Sequence, residues 1–517
     1  MPIPGPEFLF KRLRPLAFLP ALVLLFLICH YGVASLHWDE WGCETPLLRT
    51  YLDGTLNAKA WLAQCNESRP VLPKVIWLIL TVVSGVADPR WNMFAGWIIV
   101  CITAWNIHKL GPGIGFTILA SALLFSPIQQ ENWLWGAQMM LFLPALFLTT
   151  WLRVVGSPRA ILWGTVLAVL ATFSFANGFL LWPALFAALG LIDRTQRLKA
   201  SITWAVALAL SLALYLYNFE RVASSPSYSA IFAQPLRAAQ YFISFLGNPL
   251  ASGDLTRATI AGSLLLALFA ILPKHRVGWI ILAGYALASA GLVTVGRVAL
   301  GPQQALDSRY GAFAVWIAIA VLALAYESHW RWRGCLTIAI LIAHSFSFWY
   351  GVKAMHYRTL AARYQRACLT FVVALPGGDC IGNYPVWSAD FLRESAVPLD
   401  KAGWITPKLM VSGELIADAV PGEGNLDVVD AGSKWRLQGG VGVDADAIVV
   451  AVSLGNGFVP VAVVQPGRTI PLKVTPSAYR TEIDKALVPP GARVAAFAYR
   501  AMDPRWSILG EPWVVPK

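Results

Sequence analysis

Charged side chains are scarce in this sequence. Asp, Glu, Lys and Arg make up 13% of its 517 residues, against about 25% in an average soluble domain, whereas 57% of the residues are hydrophobic. A helix that crosses a bilayer needs about 20 apolar residues, and several runs of the chain supply them. The composition therefore argues against a soluble protein and predicts an α-helical protein that crosses a membrane many times.

The sequence also lacks the motifs of several common chemistries. It has no Walker phosphate loop, no G-x-S-x-G elbow and no H-E-x-x-H zinc motif. Its seven histidines do not stand at metal-ligand spacing. ATP hydrolysis, serine hydrolysis and zinc chemistry are therefore disfavoured. No cofactor is expected, and no residue pattern supports a requirement for a divalent cation.

Long apolar runs dominate the first 350 residues instead, and each is a candidate membrane span. The twelve windows are 16–36, 71–87, 91–107, 113–126, 137–154, 159–175, 178–192, 201–218, 258–273, 277–295, 311–327 and 335–350.

Basic residues between the windows predict the orientation of the chain, because short basic loops stay in the cytoplasm. They collect in four loops, at 153–159, 194–199, 274–276 and 331–333. The segments that fall outside are then 126–136, 219–257, 296–310 and the tail after 350. Because the net charge of +12 lies largely in these loops, we expect contact with membrane lipids and no nucleic-acid partner.

A cytoplasmic N-terminus and a tail outside the cytoplasm require an odd number of membrane crossings, and twelve is even. Lys11, Arg12 and Arg14 precede the first window, and no small-residue cleavage site follows it, which favours an uncleaved first span with a cytoplasmic N-terminus. Twelve crossings would return the tail to the cytoplasm. One early window is therefore miscounted, and 11 or 13 crossings are expected.

Two segments outside the windows have the spacing of amphipathic helices. In 44–62, Leu48, Leu52 and Leu56 recur every four residues, and in 228–246 apolar residues face a polar side. Both patterns fit helices lying at the outer membrane surface. The alternative is that they are ordinary loop helices packed on protein.

The tail has a different character. From about residue 425 it contains short β-rich runs, among them Ala447–Leu454, Phe458–Val464 and Arg493–Arg500, with a hairpin signal at 455–457. A small antiparallel β-sandwich over 425–517 is the natural solution, with 351–424 as a mixed connector after the membrane domain 1–350. The tail has no convergent titratable groups, so we expect it to assist rather than to do chemistry.

Four cysteines fall in regions expected outside the cytoplasm. They form two close pairs along the chain, Cys43 with Cys65 and Cys368 with Cys380. Disulfides in an oxidising compartment explain this arrangement, and free thiols placed by chance are the alternative.

Adjacent carboxylates mark the first outer loop. Asp39 and Glu40 stand among aromatic residues directly after the first window, where a carboxylate can act as a general base. A solvated loop start is the alternative. The same loop ends with Glu67, Arg69 and Lys74; the two cations suit phosphate, or else they anchor the chain at the bilayer surface.

Two later outer loops carry further candidates. Residues 129–138 combine amides, a carboxylate and indoles, which suits sugar recognition; a polar belt at a helix end is the alternative. Near 296–310, Arg297 and Arg309 are further phosphate-binding cations, unless Asp307 simply pairs with Arg309. The candidate sugar- or acceptor-binding residues are Glu67, Gln130, Glu131, Asn132, Trp135, Gln138 and Tyr310.

This arrangement resembles the GT-C class of membrane glycosyltransferases, which take sugars from polyprenyl-phosphate carriers. That class places an acidic residue just after span one, where Asp39 and Glu40 stand. Amphipathic helices follow, similar to 44–62, and then an acid–base–proline stretch, similar to Glu67-Ser68-Arg69-Pro70. The motifs around 131–138 and 308–310 are similar to those of uncharacterised bacterial membrane proteins of glycosyltransferase type.

The resemblance covers the architecture of residues 10–350 and implies a mechanism. A sugar would move from a polyprenyl-phosphate donor to a periplasmic glycan or glycolipid, with inversion at the anomeric centre. Arg69, Lys74, Arg297 or Arg309 would hold the donor phosphate, and Asp39, or secondarily Glu40, would act as general base. The implied location is the bacterial inner membrane, with the tail in the periplasm. The sequence departs from the class in having no second Asp-x-Asp-like motif, which leaves a metal requirement in doubt.

Two other functions fit part of the pattern. An O-antigen polymerase or ligase also uses outer-loop arginines, but it concentrates function in one large loop of the second half. A lipid-linked oligosaccharide flippase or other transporter would carry ionisable residues within its spans or show repeated halves, and this chain shows few such charges and no repeat.

Overall fold

The computed structural model describes residues 14–222, 228–274, 276–375, 380, 387–416, 418–455, 457–467 and 477–517. Lys11 and Arg12 lie outside the described residues, as does Asn456 at the centre of the predicted hairpin.

Helices fill most of the first 400 residues. They are α1 (Leu19–Tyr31), α2 (Asp39–Cys43), α3 (Thr45–Leu52), α4 (Ala58–Leu62), α5 (Val71–Ser84), α6 (Pro89–Leu110), α7 (Ile114–Leu124), α8 (Gln130–Leu134), α9 (Met139–Val154), α10 (Ala160–Thr172), α11 (Leu181–Ala187), α12 (Arg197–Leu216), α13 (Ala230–Ala233), α14 (Pro235–Gly247), α15 (Leu255–Ile271), α16 (Val277–Arg297), α17 (Gly311–Glu327), α18 (Arg333–Thr370) and α19 (Ala389–Lys401).

Each of the twelve apolar windows contains a helix, which confirms the predicted helical character of this region. Within the described ranges, six helical segments are long and apolar enough to cross a membrane: Pro89–Leu110, Gly136–Val154, Arg194–Leu216, Val277–Leu300, Ser308–Glu327 and Arg333–Thr370. The pair Pro235–Leu250 and Leu255–Ile271, bent by 93°, adds a seventh if counted as one span.

The remaining windows hold shorter helices, so the number of crossings stays a prediction. Among the described residues, the shorter apolar helices include Leu16–Tyr31, Val71–Ser84, Ala160–Thr172 and Ala176–Ala187. At about 1.5 Å per residue, all of these helices are shorter than a hydrocarbon layer about 30 Å thick.

The chain divides into two compact units. Unit 1 comprises Met1–Gly32, Asn57–Trp77 and Arg90–His356; unit 2 comprises Val33–Leu56, Leu78–Pro89 and Tyr357–Lys517. The first outer loop is thereby shared between the units, with Asp39 in unit 2 and Glu67 in unit 1.

Helix α17 forms the centre of unit 1. Every residue from Gly311 to Ala325 is buried. A helix that is apolar on all sides is stable only when it is surrounded, and its many alanines let neighbouring helices approach closely.

Helices α14 and α15 of unit 1 touch backbone to backbone. A Cβ atom on Gly247 would lie 1.9 Å from the carbonyl oxygen of Ala258, and one on Gly262 would lie 1.9 Å from that of Ile243. Only glycine fits at these two positions.

Both predicted amphipathic segments are helical, but each is broken. The first forms α3 and α4, and Gly54 lies between them with φ +65°. The second forms α13 and α14, because Pro235 starts a new helix after Gln234. Because of this break, residues 228–246 do not form the single amphipathic helix that the sequence pattern predicted.

The helix of the last apolar window extends beyond that window, which ends at 350. Helix α18 continues to Thr370, and α19 follows within the segment expected to be a mixed connector. The apolar pattern ends before Lys353 and Arg358. Lysine and arginine are good helix formers, so the helix continues beyond the apolar pattern.

The tail of unit 2 forms two β-sheets, as its β-rich pattern predicted. One has the order β1-β8-β7-β4-β5, with β9 paired to β7, and the other has the order β2-β3-β6. The strands are β1 (Val420–Gly422), β2 (Asp427–Ala431), β3 (Lys434–Val441), β4 (Ala447–Leu454), β5 (Gly457–Val464), β6 (Ser477–Asp484), β7 (Arg493–Arg500), β8 (Arg505–Leu509) and β9 (Trp513–Val514).

Strands β4 and β7 have the bounds that the sequence predicted, and β5 starts one residue earlier. Leu437 and Ile483 of the smaller sheet share an apolar core with Val450 and Val494 of the larger one. The pairing is antiparallel except for β1 with β8, which is parallel. Strand β1 precedes residue 425, where the predicted domain began.

Cys368 and Cys380 form a disulfide with a Cα–Cα distance of 5.6 Å, which is the pairing that the sequence spacing suggested. Cys43 and Cys65 are also disulfide-bonded.

Replacing both Cys368 and Cys380 by serine should lower the free energy of unfolding by about 2–3 kcal/mol, since the bond limits the conformations of the unfolded chain. Thermal unfolding of the purified protein measures this. Cys335→Ser is the control, because Cys335 is an exposed free thiol. A double variant as stable as the wild type would contradict the prediction.

Candidate functional site

Two loops that the sequence singled out separately lie against each other in unit 1. The carboxylate of Glu131 accepts hydrogen bonds from the hydroxyl of Ser308 (3.0 Å) and from the backbone N–H of Arg309 (3.1 Å). The Ser308 oxygen accepts from Gln130 Nε2 (3.0 Å) and from the Glu131 N–H (3.1 Å). The two motifs therefore form one hydrogen-bonded assembly, although 177 positions separate Glu131 from Ser308 along the chain.

Glu131 lies at the start of α17, which begins at Gly311 directly after the 3₁₀ turn Ser308–Tyr310. The first turn of a helix has N–H groups without partners and carries a partial positive charge. The Glu131 carboxylate compensates both at the entrance to the most deeply buried helix of unit 1.

Asp307 and Arg309 form an ion pair beside Glu131. Arg309 Nη2 lies 2.7 Å from Asp307 Oδ2, and Gln304 Nε2 donates to the same oxygen at 2.9 Å. This is the pairing that the sequence analysis gave as the alternative to phosphate binding. Burial raises the pKa of the Asp307 carboxyl; Glu131 raises it further and Arg309 opposes the rise.

A second ion pair joins Arg297 to Glu67. Arg297 Nη2 lies 3.0 Å from Glu67 Oε1. The backbone of Glu67 is held separately, because its carbonyl accepts from the Tyr215 hydroxyl at 2.6 Å within the turn Cys65–Ser68. The turn thus aims the Glu67 carboxylate at the end of α16.

Tyr241 of α14 connects the two pairs. Its hydroxyl donates to Gln304 Oε1, and it interacts electrostatically with both Asp307 and Arg297. We call the whole group the paired-arginine cluster: Glu67, Glu131, Tyr241, Arg297, Gln304, Asp307, Ser308, Arg309 and Tyr310.

The two ion pairs are the accessible part of this cluster. The side chains of Arg297 and Glu67 are 32% and 36% exposed, and those of Arg309 and Asp307 are 26% and 32% exposed. In each ion pair, one nitrogen of the guanidinium contacts the carboxylate, and a phosphate could bind across its other donors. The cluster therefore combines anion-binding donors with carboxylates that can accept from sugar hydroxyls.

Arg69 is placed differently from the other predicted phosphate-binding cations. It is buried, and its three side-chain nitrogens donate to backbone carbonyls: Nε to Tyr215 at 2.6 Å, Nη1 to Leu62 and Nη2 to Tyr217. A phosphate would have to replace these bonds. In this conformation, Arg69 ties the segment before α5 to the end of α12.

Lys74 is also buried, and its ammonium group is hydrogen-bonded to the backbone. Its ammonium donates to three backbone carbonyls, those of Ala60 (2.9 Å), Trp61 (3.2 Å) and Ala63 (2.6 Å). These carbonyls belong to the end of the short helix α4, so Lys74 acts as its C-terminal cap.

Four of the predicted sugar-binding side chains are buried as well. Asn132, Trp135, Gln138 and Tyr310 are 2%, 1%, 4% and 7% exposed. The Asn132 amide donates to the backbone carbonyl of Arg309 at 3.0 Å. In this conformation they hold the loop in place and do not face solvent.

Asp39 and Glu40 differ sharply in unit 2. Glu40 is fully buried, and its carboxylate accepts from the backbone N–H of His37 at 2.6 Å, so it fixes the turn that precedes α2. Asp39, the first residue of α2, is half-buried. His37 Nδ1 lies 3.0 Å from Gln365 Oε1. Burial, with a smaller contribution from Arg358, lowers the pKa of His37 to about 3, so this imidazole is neutral at physiological pH.

The backbone is strained directly before Asp39. Trp38 has φ +44°, which is unusual for a bulky residue and costs on the order of 1–3 kcal/mol. Its carbonyl accepts from Trp387 Nε1 at 2.8 Å. The Trp387 ring lies where a Cβ on Gly42 would meet it at 2.7 Å, so glycine allows this indole to cover α2. Such strain is characteristic of residues that position a functional group.

Tyr241 and Gln304 belong to the cluster but were not predicted from the sequence. Tyr241 was not recognised as a candidate, because its helix was identified by its apolar face. Gln304 belongs to no motif. Over the described parts of the chain, no group of three His, Cys, Asp or Glu residues is arranged to hold a metal ion.

Comparisons with protein families, with curated proteins and with solved structures give no match to this chain.

Glu131→Ala should loosen the start of α17, because it leaves the Arg309 N–H and the Ser308 hydroxyl without their acceptor. The expected loss of stability is about 1–3 kcal/mol. Hydrogen exchange should become faster at residues 308–310. Glu220→Ala, at an exposed glutamate of unit 1, is the control. Unchanged exchange at 308–310 would contradict the anchoring role.

Proposed function

We propose that this protein is a membrane glycosyltransferase that moves a sugar from a polyprenyl-phosphate donor to a glycan or glycolipid acceptor. Its location would be a bacterial inner membrane, with the tail in the periplasm and folded as a β-sandwich. The observation that carries the proposal is the pair of part-exposed guanidiniums, Arg297 and Arg309, at the ends of two long apolar helices. A lipid phosphate at a bilayer surface needs such donors at that level.

The positions of the four predicted phosphate-binding cations favour two of them as ligands of the donor phosphate. Arg69 and Lys74 have their donors on backbone carbonyls, whereas Arg297 and Arg309 are each paired with a part-exposed carboxylate. We therefore assign the donor phosphate to Arg297 and Arg309. Their carboxylate partners, Glu67 and Asp307, would keep the guanidiniums oriented before the donor arrives.

The role of general base falls to Asp39. Resemblance to the GT-C class favours a general base in the first outer loop. Because Glu40 is buried within its own turn, Asp39 is the preferred candidate of the two carboxylates. Asp39 would take the proton from the acceptor hydroxyl as that oxygen attacks the anomeric carbon. The negative charge of the departing lipid phosphate would be stabilised by guanidinium donors.

One feature favours a second candidate, a flippase or other transporter of lipid-linked sugars. The segments Pro235–Leu250 and Leu255–Ile271 are bent by 93° at a short break, and broken helices surround the binding sites of many transporters. A protein that moves lipid-linked sugar across vesicle membranes, without forming a glycosidic bond, would support this candidate.

Asp39→Asn should reduce the rate of sugar transfer by about 10²–10⁴-fold, because the amide keeps the shape but not the basicity of the carboxylate. Transfer from polyprenyl-phosphate sugars by the purified protein measures this. Asp53→Asn is the control, since Asp53 is an exposed residue of the same loop. Transfer at the wild-type rate would exclude Asp39 as the base.

Arg309→Lys should instead weaken the binding of polyprenyl phosphate, because lysine keeps the charge but loses the bidentate fork. Loss of charge-assisted hydrogen bonds worth about 1.5–3 kcal/mol corresponds to roughly 10–100-fold in affinity. Binding can be followed as the rise in melting temperature with added polyprenyl phosphate. Arg257→Lys, at an exposed arginine of α15, is the matched control. Equal affinity in the Arg309 variant and the wild type would remove this residue from the donor site.

A further inference from the structure

An apolar pocket of about 300 Å³ lies between helix ends in unit 1. Leu110 at the end of α6, Leu152 near the end of α9 and the first turns of α16 line it. Gly278 and Trp279 belong to that part of α16. Among the described residues of the lining, Arg276 is the charged one.

Arg276 is fixed at the pocket and still open to solvent. Its Nη1 donates to the Leu110 carbonyl at 3.0 Å, and its Nε lies 3.3 Å from Glu327 Oε1. The same carboxylate oxygen accepts from Trp279 Nε1 at 2.9 Å. The Arg276 side chain remains 62% exposed, whereas that of Glu327 is 10% exposed. The guanidinium is therefore held in one orientation with part of its surface free for a ligand.

Further basic residues stand next to the pocket-lining residues in the sequence. Lys109 directly precedes Leu110, Arg153 directly follows Leu152, and Lys274 stands two positions before Arg276. Glu327 offsets the charge of Arg276. A part-exposed guanidinium beside an apolar interior, with further basic residues close by in the sequence, suits a molecule with an acyl chain and an anionic head.

We propose that this pocket binds an anionic phospholipid, with an acyl chain against the leucines and Trp279 and the phosphate on Arg276. The proposal rests on the membrane location proposed above but not on glycosyl transfer. The basic loops 153–159 and 274–276 put the pocket at the cytoplasmic face, where anionic phospholipids give the membrane its negative surface potential. The bound lipid would be a structural partner at the opposite end of α17 from the paired-arginine cluster.

Gly278→Phe tests the site by filling it. Gly278 lines the cavity, and a Cβ there would meet only Leu152 side-chain atoms, at 3.9 and 4.0 Å, so the position has room for a larger side chain. Gly284→Phe is the matched control, on the same helix and with no atom within 4 Å of its Cβ. The full-length protein is purified in neutral detergent, and its melting temperature is measured against added phosphatidylglycerol, phosphatidylcholine, polyprenyl phosphate or inorganic phosphate.

Phosphatidylglycerol should raise the melting temperature of the wild type and of Gly284→Phe at concentrations at least tenfold lower than phosphatidylcholine does. In Gly278→Phe this tenfold preference should be lost. Four results would overturn the proposal: the same response in Gly278→Phe as in the wild type, no preference for the anionic lipid, an equal effect of inorganic phosphate, or a stronger response to polyprenyl phosphate that Gly278→Phe abolishes.

A second measurement does not depend on the folding of the Gly278 variant. Phosphatidylglycerol with brominated acyl chains quenches nearby indoles, and Trp279 lines the pocket. The quenching lost on Trp279→Phe should exceed by at least threefold that lost on Trp163→Phe, at an indole exposed outside the pocket. Equal losses would overturn the proposal. Neither measurement uses transfer activity, so its failure leaves the transferase proposal standing, and failure of the transferase tests leaves this one standing.

Discussion

The contact between the Glu131 carboxylate and the start of helix Gly311–Glu327 is the interaction on which the arrangement of unit 1 depends. An entirely apolar helix can be buried on all sides, but its first N–H groups still need acceptors. From a loop far away in the sequence, Glu131 accepts hydrogen bonds from the Arg309 N–H and the Ser308 hydroxyl in the turn that leads into this helix. That single carboxylate fixes the segment 307–310, and with it the direction of the Arg309 guanidinium.

At the opposite end of the same helix, a negative charge has to be compensated. Glu327 is its last residue, where the helix dipole disfavours negative charge, and the carboxylate is nearly buried. Arg276 and Trp279 compensate it from the start of Val277–Arg297 and its preceding residue. Both ends of the buried helix therefore require polar partners from other helices. Close to each end, a guanidinium is ion-paired and remains partly exposed, Arg309 at the start and Arg276 at the end.

The sequence was sufficient to place helices in all twelve windows and to give the bounds of two strands, because apolar periodicity is a local property. It was insufficient for the end of the helix Arg333–Thr370, since helix propensity continues after hydropathy stops. The site was predictable in its residue types but not in its pairings. Asp307 with Arg309 is a short-range pair that spacing can suggest, whereas Glu131 with Ser308 depends on how distant helices pack. The same limit explains Arg69 and Lys74, whose charges suggest phosphate but whose donors are used by carbonyls that no motif reveals.

The glycine contact between the helices Pro235–Gly247 and Leu255–Ile271 has a consequence for reading sequence variation. At Gly247 and Gly262, any other amino acid places a carbon atom where a carbonyl oxygen already stands. A saturation mutagenesis screen would therefore mark both positions as intolerant, alongside residues that carry chemistry. Tyr241 lies on the first of these helices, so a shift of the backbone at either glycine would also move a member of the paired-arginine cluster. Loss of activity on substitution of these glycines would therefore reflect displaced helices and would not show that the glycines take part in the chemistry. Only substitutions that preserve the helix contact can test whether a residue has a chemical role.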